Sequence, residues 1–212
     1  MYAPPYYRWS DRAAALAFAA DYNFATLITV VGGAPTVSHL PFLIDVERNV
    51  LRGHLARANP HSGALGEAAH LAVFTGPNAY ISPDWYGEAS KDVPTWNYVV
   101  VHVAGRGRVI DEARAVDRFL VDLSDHEEGR RPDLDRGGKI WTLDKVPPKD
   151  HARMRAAIVA FEIDIASVEA KAKLNQNKKL NAVAGVIAAL SASGSQVSEA
   201  VARLMREFNP KS

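Results

Sequence analysis

The run Phe24-Ala25-Thr26-Leu27-Ile28-Thr29-Val30-Val31, followed at once by Gly32-Gly33, restricts the fold of this chain more than any other stretch. β-branched and aromatic residues suit a pleated, half-buried strand, and a Gly-Gly pair supplies the positive φ of a two-residue hairpin turn. Residues 35–46 then read as the antiparallel return strand. Pro41 inside it argues for a sheet edge or a bulge, because proline cannot donate to a strand ladder. A second turn at Glu47-Arg48-Asn49 leads to a strand over 50–56, and residues 71–74, 96–110 and 158–168 read as three more. Helices are expected from a Ser10 cap to about residue 20, over 112–123 and 148–155, and as a C-terminal pair at 181–191 and 197–208. Gly76-Pro77-Asn78 is expected to break the strand before it, and residues 126–138 to form an exposed loop. Meandering strands without βαβ alternation argue against a doubly wound parallel sheet. They point to a mainly β fold, an antiparallel barrel, closed or half open, with peripheral helices.

With 212 residues and an apolar share of 48%, the chain can bury a real core in one larger domain with appendages. Lys plus Arg number 25 against 24 Asp plus Glu, so no global field exists to hold nucleic acid or membrane. Zero cysteines exclude disulfides, thiolate chemistry and cysteine-ligated metals. The start, Met1-Tyr2-Ala3-Pro4-Pro5, lacks the basic and apolar regions of a signal peptide. No apolar run is long enough to span a bilayer, and the expectation is a soluble, cytoplasmic protein.

Three runs carry candidate chemistry. In Gly53-His54-Leu55-Ala56-Arg57-Ala58-Asn59-Pro60-His61-Ser62, Asn59 suits an N-cap and Pro60 the first helical position. A helix beginning there and running to about residue 69 would aim free N–H groups, beside the Arg57 guanidinium, at a dianion such as a cofactor phosphate. The structural alternative is an ordinary strand-to-helix junction, with His54 a hydrogen-bonded barrel histidine. In Val93-Pro94-Thr95-Trp96-Asn97-Tyr98, an amide beside an aromatic ring suits a planar heterocycle, and equally a filled sheet core. The segment 171–179 holds four lysines and three amides without an acid, fit for a phosphate and a ring or for a solvated turn. The last helix offers Arg203 and Arg206 but also Glu199 and Glu207, with an apolar face at Val197, Val201, Leu204, Met205 and Phe208. That composition suits packing against the body or a partner subunit better than reading DNA.

Taken with Ser38-His39-Leu40-Pro41-Phe42 and Phe74 to Pro83, these runs resemble, in order and over nearly the whole chain, the PaiB-type family of FMN-binding negative transcriptional regulators. The resemblance implies an FMN-binding split β-barrel over 1–170, followed at 171–212 by the basic segment and a helix pair packed on the barrel or a partner subunit. It implies a homodimer with FMN at the subunit interface and the phosphate at Arg57 and Asn59. His39, His54 and Leu55 would line the sugar and ring. Trp96, Asn97, Lys173, Gln176 and Asn177 would be further contacts, with the second subunit as one source. Departures from the family pattern are Ala160 and Ala170 in place of glycines, and Asn175 and Lys178 in place of serine and arginine. The family name implies a repressor that responds to flavin, with DNA as its partner. Two other readings stay open: a flavin-dependent oxidoreductase acting on a small molecule, with His54 and His102 as available acid–base groups, and a haem-binding split-barrel protein.

Overall fold

The computed structural model describes residues 1–66, 68–87 and 91–210. Its strands are β1 (Arg8–Trp9), β2 (Phe24–Val31), β3 (Ala34–Pro41), β4 (Leu43–Asp45), β5 (Val50–Ala56), β6 (Ala69–Ile81), β7 (Thr95–Val109) and β8 (Ile158–Lys173). Its α-helices are α1 (Arg12–Asp21), α2 (Ala113–Glu128), α3 (Pro148–Ala156), α4 (Leu180–Ala192) and α5 (Gln196–Phe208). The eight strands form one sheet in the order β3-β2-β6-β7-β8-β5-β4, with β1 added on β8. The β2–β3, β4–β5, β5–β8 and β1–β8 pairings are antiparallel. The chain divides into two compact units, one of Met1–Tyr22, Val73–Val103 and Val168–Ser212, the other of Asn23–Ala72 and Ala104–Ser167.

In the second of these, β2 and β3 pair from Phe24↔Pro41 to Val31↔Ala34, closed by Gly32 and Gly33 at φ 57° and 84°. The expected single return strand is two strands. At Phe42 the chain turns a corner, its N–H bonding the Asn23 carbonyl at 3.0 Å while its ring is fully buried. Proline's missing donor ends β3 there, and β4 pairs with β5 instead. β5 pairs with β8 through Gly53↔Phe161, where a Cβ on Gly53 would press on the Phe42 ring at 3.0 Å. Helix α2 lays Val116, Phe119 and Leu123 on Ala160, a stripe of helical period flanked by Leu43, Ile110, Leu120 and Ile158. It continues to Glu128, past the expected end, and so takes up the start of the expected loop.

Strand β8 is buried at every position from Ala160 to Ile163, which includes one carboxylate. Glu162, 4% exposed, accepts a two-pronged bond from Arg48 at 2.8 and 2.9 Å and pairs with Arg108. Arg52 brings its Nε to 3.8 Å and its Nη1 to Asp122 at 2.6 Å. One buried acid thus joins the β4–β5 turn, β5, β7 and β8.

In the other unit, α1 is capped by Asp11, not Ser10: the Asp11 carboxylate accepts from the Ala14 N–H at 3.0 Å, so the helix starts one residue later. The expected break at Gly76-Pro77-Asn78 does not occur, and β6 runs through it. Gly76 sits where a Cβ would collide with the Phe18 ring, so this glycine serves helix packing rather than a turn. Trp9 meets Phe18 and Phe208 edge-on at 5.6 and 5.0 Å. Helices α4 and α5 pack on each other, burying Val183, Val186, Ile187 and Leu190 on one and Val201, Leu204 and Met205 on the other. Ser195 caps α5 through the Ser198 N–H at 3.3 Å. Among the described residues no helix is long and apolar enough to cross a membrane.

Candidate functional site

The segment after β5 begins as its residue types dictate. Asn59 accepts from the His61 N–H at 3.0 Å, and Pro60 occupies the first position of the turn. The expected helix to residue 69 does not form. A five-residue 3-10 turn, Pro60–Ala64, replaces it, since Ser62, Gly63 and Gly66 are poor helix formers. So short a turn sums little dipole, and any affinity for an anion here rests on side chains.

Arg57 donates Nε to the Ala156 carbonyl at 2.9 Å and Nη2 to the Ile158 carbonyl at 2.8 Å, which ties the end of α3 to its own strand. It lines a cleft of about 220 Å³ with Arg155, Ile110, Asp111 and the start of α2. Arg155 is held by Asp117 at 2.5 Å. Asn59 donates Nδ2 to the Ser38 hydroxyl at 3.2 Å. His39 is exposed, its Nδ1 3.1 Å from the Thr26 hydroxyl. Leu55 is buried and offers only backbone. His54 lies against the Phe119 ring at 5.8 Å, with Nδ1 buried and lacking a hydrogen-bond partner among the described residues.

Four residues the sequence reading did not single out as ligands complete this region: Thr29, Ser38, His61 and His70. His61 Nδ1 lies 2.9 Å from the Ser38 hydroxyl and its Nε2 2.8 Å from the Thr29 hydroxyl, which in turn lies 2.5 Å from His70 Nδ1. All four are nearly or wholly buried. The signal was present in the alternation. Thr29 follows Ala25 and Leu27 on the inward face of β2, Ser38 precedes Leu40 on β3, and His70 precedes Ala72 on β6.

Burial pushes the pKa of His54, His61, His70 and His102 below the ordinary histidine value. The unfolded chain therefore takes up protons as pH falls through about 6.5 while the folded chain resists, so stability is present above that value and declines beneath it. A melting temperature clearly lower at about pH 5.5 than at about pH 8 is the expected result of a thermal scan. A pH-independent midpoint would contradict it.

The remaining expected residues lie in the other unit. Asn97, fully buried, donates Nδ2 to the Met205 sulfur at 3.3 Å, and its Oδ1 lacks a hydrogen-bond partner among the described residues. Trp96 is half exposed on the opposite face of β7, edge-on to Tyr80 at 6.2 Å. Lys173 ends β8 rather than a turn. It donates to the Trp96 carbonyl at 2.8 Å and to the Thr95 hydroxyl, and burial together with Lys171 and Lys178 lowers its pKa. Gln176 closes a local turn, donating to the Ala172 carbonyl at 2.7 Å and accepting from the Leu174 N–H at 2.8 Å. Asn177 accepts from the Tyr7 hydroxyl at 2.7 Å. Asn175, at φ 67°, occupies the left-handed region that asparagine tolerates better than most residues. Lys178 pairs with Asp92.

Residues 1–167 match the family described as "Putative FMN-binding domain". The chain is 30% identical over 211 residues to the protease synthase and sporulation protein PAI 2 of Bacillus subtilis, covering 98% of this chain and 97% of that protein. Among solved structures, the flavocytochrome Anf3 from Azotobacter vinelandii matches at TM-score 0.57 and 17% identity, over 79% of this chain and 69% of that one. The FAD and heme binding protein from Mycobacterium smegmatis matches at TM-score 0.56 and 17% identity, over 89% and 80%. At such identity the structural matches speak for the fold alone, an antiparallel split barrel with flanking helices. With the family matched over residues 1–167 and PAI 2 aligned from end to end, this chain belongs to the FMN-binding domain family.

Proposed function

We propose that this chain binds FMN, with Arg57 and Asn59 as its phosphate ligands, and works as a homodimeric negative transcriptional regulator that responds to the flavin. The observation that supports the phosphate assignment most is the preorganised donor pair. Two backbone carbonyls aim the Arg57 guanidinium, and Ser38 and His61 hold the Asn59 amide. Among the described residues Arg57 bonds through Nε and Nη2, so the hydrogens of Nη1 can serve a ligand. A guanidinium and an amide suit a phosphate dianion through charge-assisted bonds. Bound FMN supplies a redox-active ring whose presence or state can be sensed. His39, His54 and Leu55 are proposed as contacts to the ring and sugar, and Trp96 and Lys173 as further contacts supplied by the second protomer of the homodimer.

An absorbance spectrum of the purified protein showing paired flavin bands, without a Soret band, is the expected result. Arg57→Ala is expected to weaken FMN binding by roughly 1.5–3 kcal/mol, about ten- to a hundredfold in Kd, in a fluorescence titration. Unchanged affinity would overturn the phosphate assignment. The regulatory half is tested separately by gel shift of upstream DNA at several salt concentrations, where salt-dependent binding that changes with flavin is expected. Absent binding, together with rapid reduction of the flavin by NADPH in stopped flow, would replace regulation with an oxidoreductase role.

A further inference from the structure

Five hydrogen bonds join six groups into one unbranched chain: the Leu65 carbonyl, His70, Thr29, His61, Ser38 and Asn59. The partners of the two imidazoles are hydroxyls and one carbonyl, and among the described residues no charged side chain bonds to either. Gly107 packs so closely on this chain that a Cβ there would collide with the Leu65 carbonyl and the His70 ring, and Phe161 stands 6.4 Å from His70. Both histidines are buried, which favours their neutral forms.

The polarity of the chain follows from one end. A carbonyl only accepts, so His70 Nε2 carries the proton and donates to Leu65 at 3.4 Å. Neutral His70 then has a bare Nδ1, which accepts the Thr29 hydroxyl proton. Thr29, its proton spent, accepts from His61 Nε2–H. This leaves His61 Nδ1 bare, and it accepts the Ser38 hydroxyl proton. Ser38 oxygen accepts from Asn59 Nδ2, while Asn59 Oδ1 is committed to the His61 N–H. One amide hydrogen of Asn59 remains outside this set.

We propose that Ser38, His61, Thr29 and His70 are positioning residues: through them the Leu65 carbonyl fixes the amide of Asn59 with its second N–H reserved for the anionic group of a ligand. The inference rests on the reading of Asn59 as a phosphate ligand. It deepens that reading by explaining how a side chain at the start of so short a turn keeps one orientation. A reversed amide would present Oδ1 to the phosphate, and the two would repel.

The experiment is a double-mutant cycle on FMN affinity in the full-length protein, read by fluorescence titration with thermal melts as a control of folding. Ser38→Ala is expected to weaken FMN by about tenfold, because it removes one of the two bonds that hold the amide and leaves only the His61 N–H, whereas Ser38→Thr keeps the hydroxyl and stays within about twofold. In an Asn59→Ala background, Ser38→Ala is expected to have no further effect, since the group it orients is gone. Additive losses would overturn the positioning role and leave Asn59 as a ligand. An Asn59→Ala variant with wild-type affinity would remove both the ligand reading and this inference. Should Ser38→Ala fail to fold, imidazole nitrogen resonances of the unmodified protein decide. Both His61 and His70 are expected as Nε2–H tautomers at neutral pH, and an Nδ1–H tautomer on either overturns the scheme.

Discussion

Glu162→Gln is expected to lower the unfolding free energy by about 2–3 kcal/mol, less than the loss for a fully buried ion pair because Arg48 and Arg108 are half exposed. The carboxylate is 4% exposed and faces Arg48, Arg108 and Arg52. Glutamine keeps the shape but removes the buried charge that three guanidiniums share, leaving them, among the described residues, only Asp45, Asp164 and Asp122, and one amide N–H group would point at a donor. The control is Asp122→Asn, which removes a half-exposed partner of Arg52 alone and is expected to cost at most about 1 kcal/mol. Urea unfolding of both variants measures the contrast. Equal losses would mean that the cluster is an ordinary surface network and that burial of Glu162 carries no special weight.

Gly105→Ala is the second large effect, expected at roughly 3 kcal/mol or more. A Cβ at this position would collide with the Asp164 carbonyl oxygen and lie 2.8 Å from the Ile163 side chain. Backbone cannot rotate aside as a long side chain can, so β7 and β8 must move apart at the fully buried Ile163. Gly66→Ala makes a fitting comparison, because among the described residues its added methyl would have Val109 as its near neighbour, at an ordinary 4.0 Å. Unfolding midpoints that differ little between the two would contradict the close approach of these strands.

What could be read beforehand follows from the range over which each signal acts. The β2–β3 hairpin and β5 are local statements, an apolar run closed by residues that accept positive φ, and Phe24–Val31 and Val50–Ala56 stand where expected. The helix pair at the end is equally local, a helical period interrupted by Ser193-Gly194-Ser195. Gly76 misled because glycine has two uses, freedom of φ and absence of bulk, and only the position of Phe18 decides between them. For the lysines at 171 and 173 a solvated turn was one of two readings, beside phosphate and ring contacts, yet both belong to β8. Lys171 is buried against the faces of Tyr2 and Tyr98 at 5.7 and 5.2 Å, a cation–π environment that charge patterning along the chain does not reveal. At the candidate site, the Asn59-Pro60 cap was legible as a cap. The helix behind it was not, because its failure depends on Gly63 and Gly66 outweighing the start signal. The histidine chain draws on β2, β3 and β6, so no single window of sequence contains it.

Three of the strands carry the chain from one compact unit into the other. The boundaries after residues 72, 103 and 167 fall inside β6, β7 and β8. A stop codon or protease cut at any of these three boundaries severs a strand, so none of them releases either half as a finished body. Division of labour between the halves must be explored by point substitution. Gene fusions and circular permutations belong instead at the Gly32-Gly33 tip, where the backbone is exposed and an inserted residue breaks no pairing.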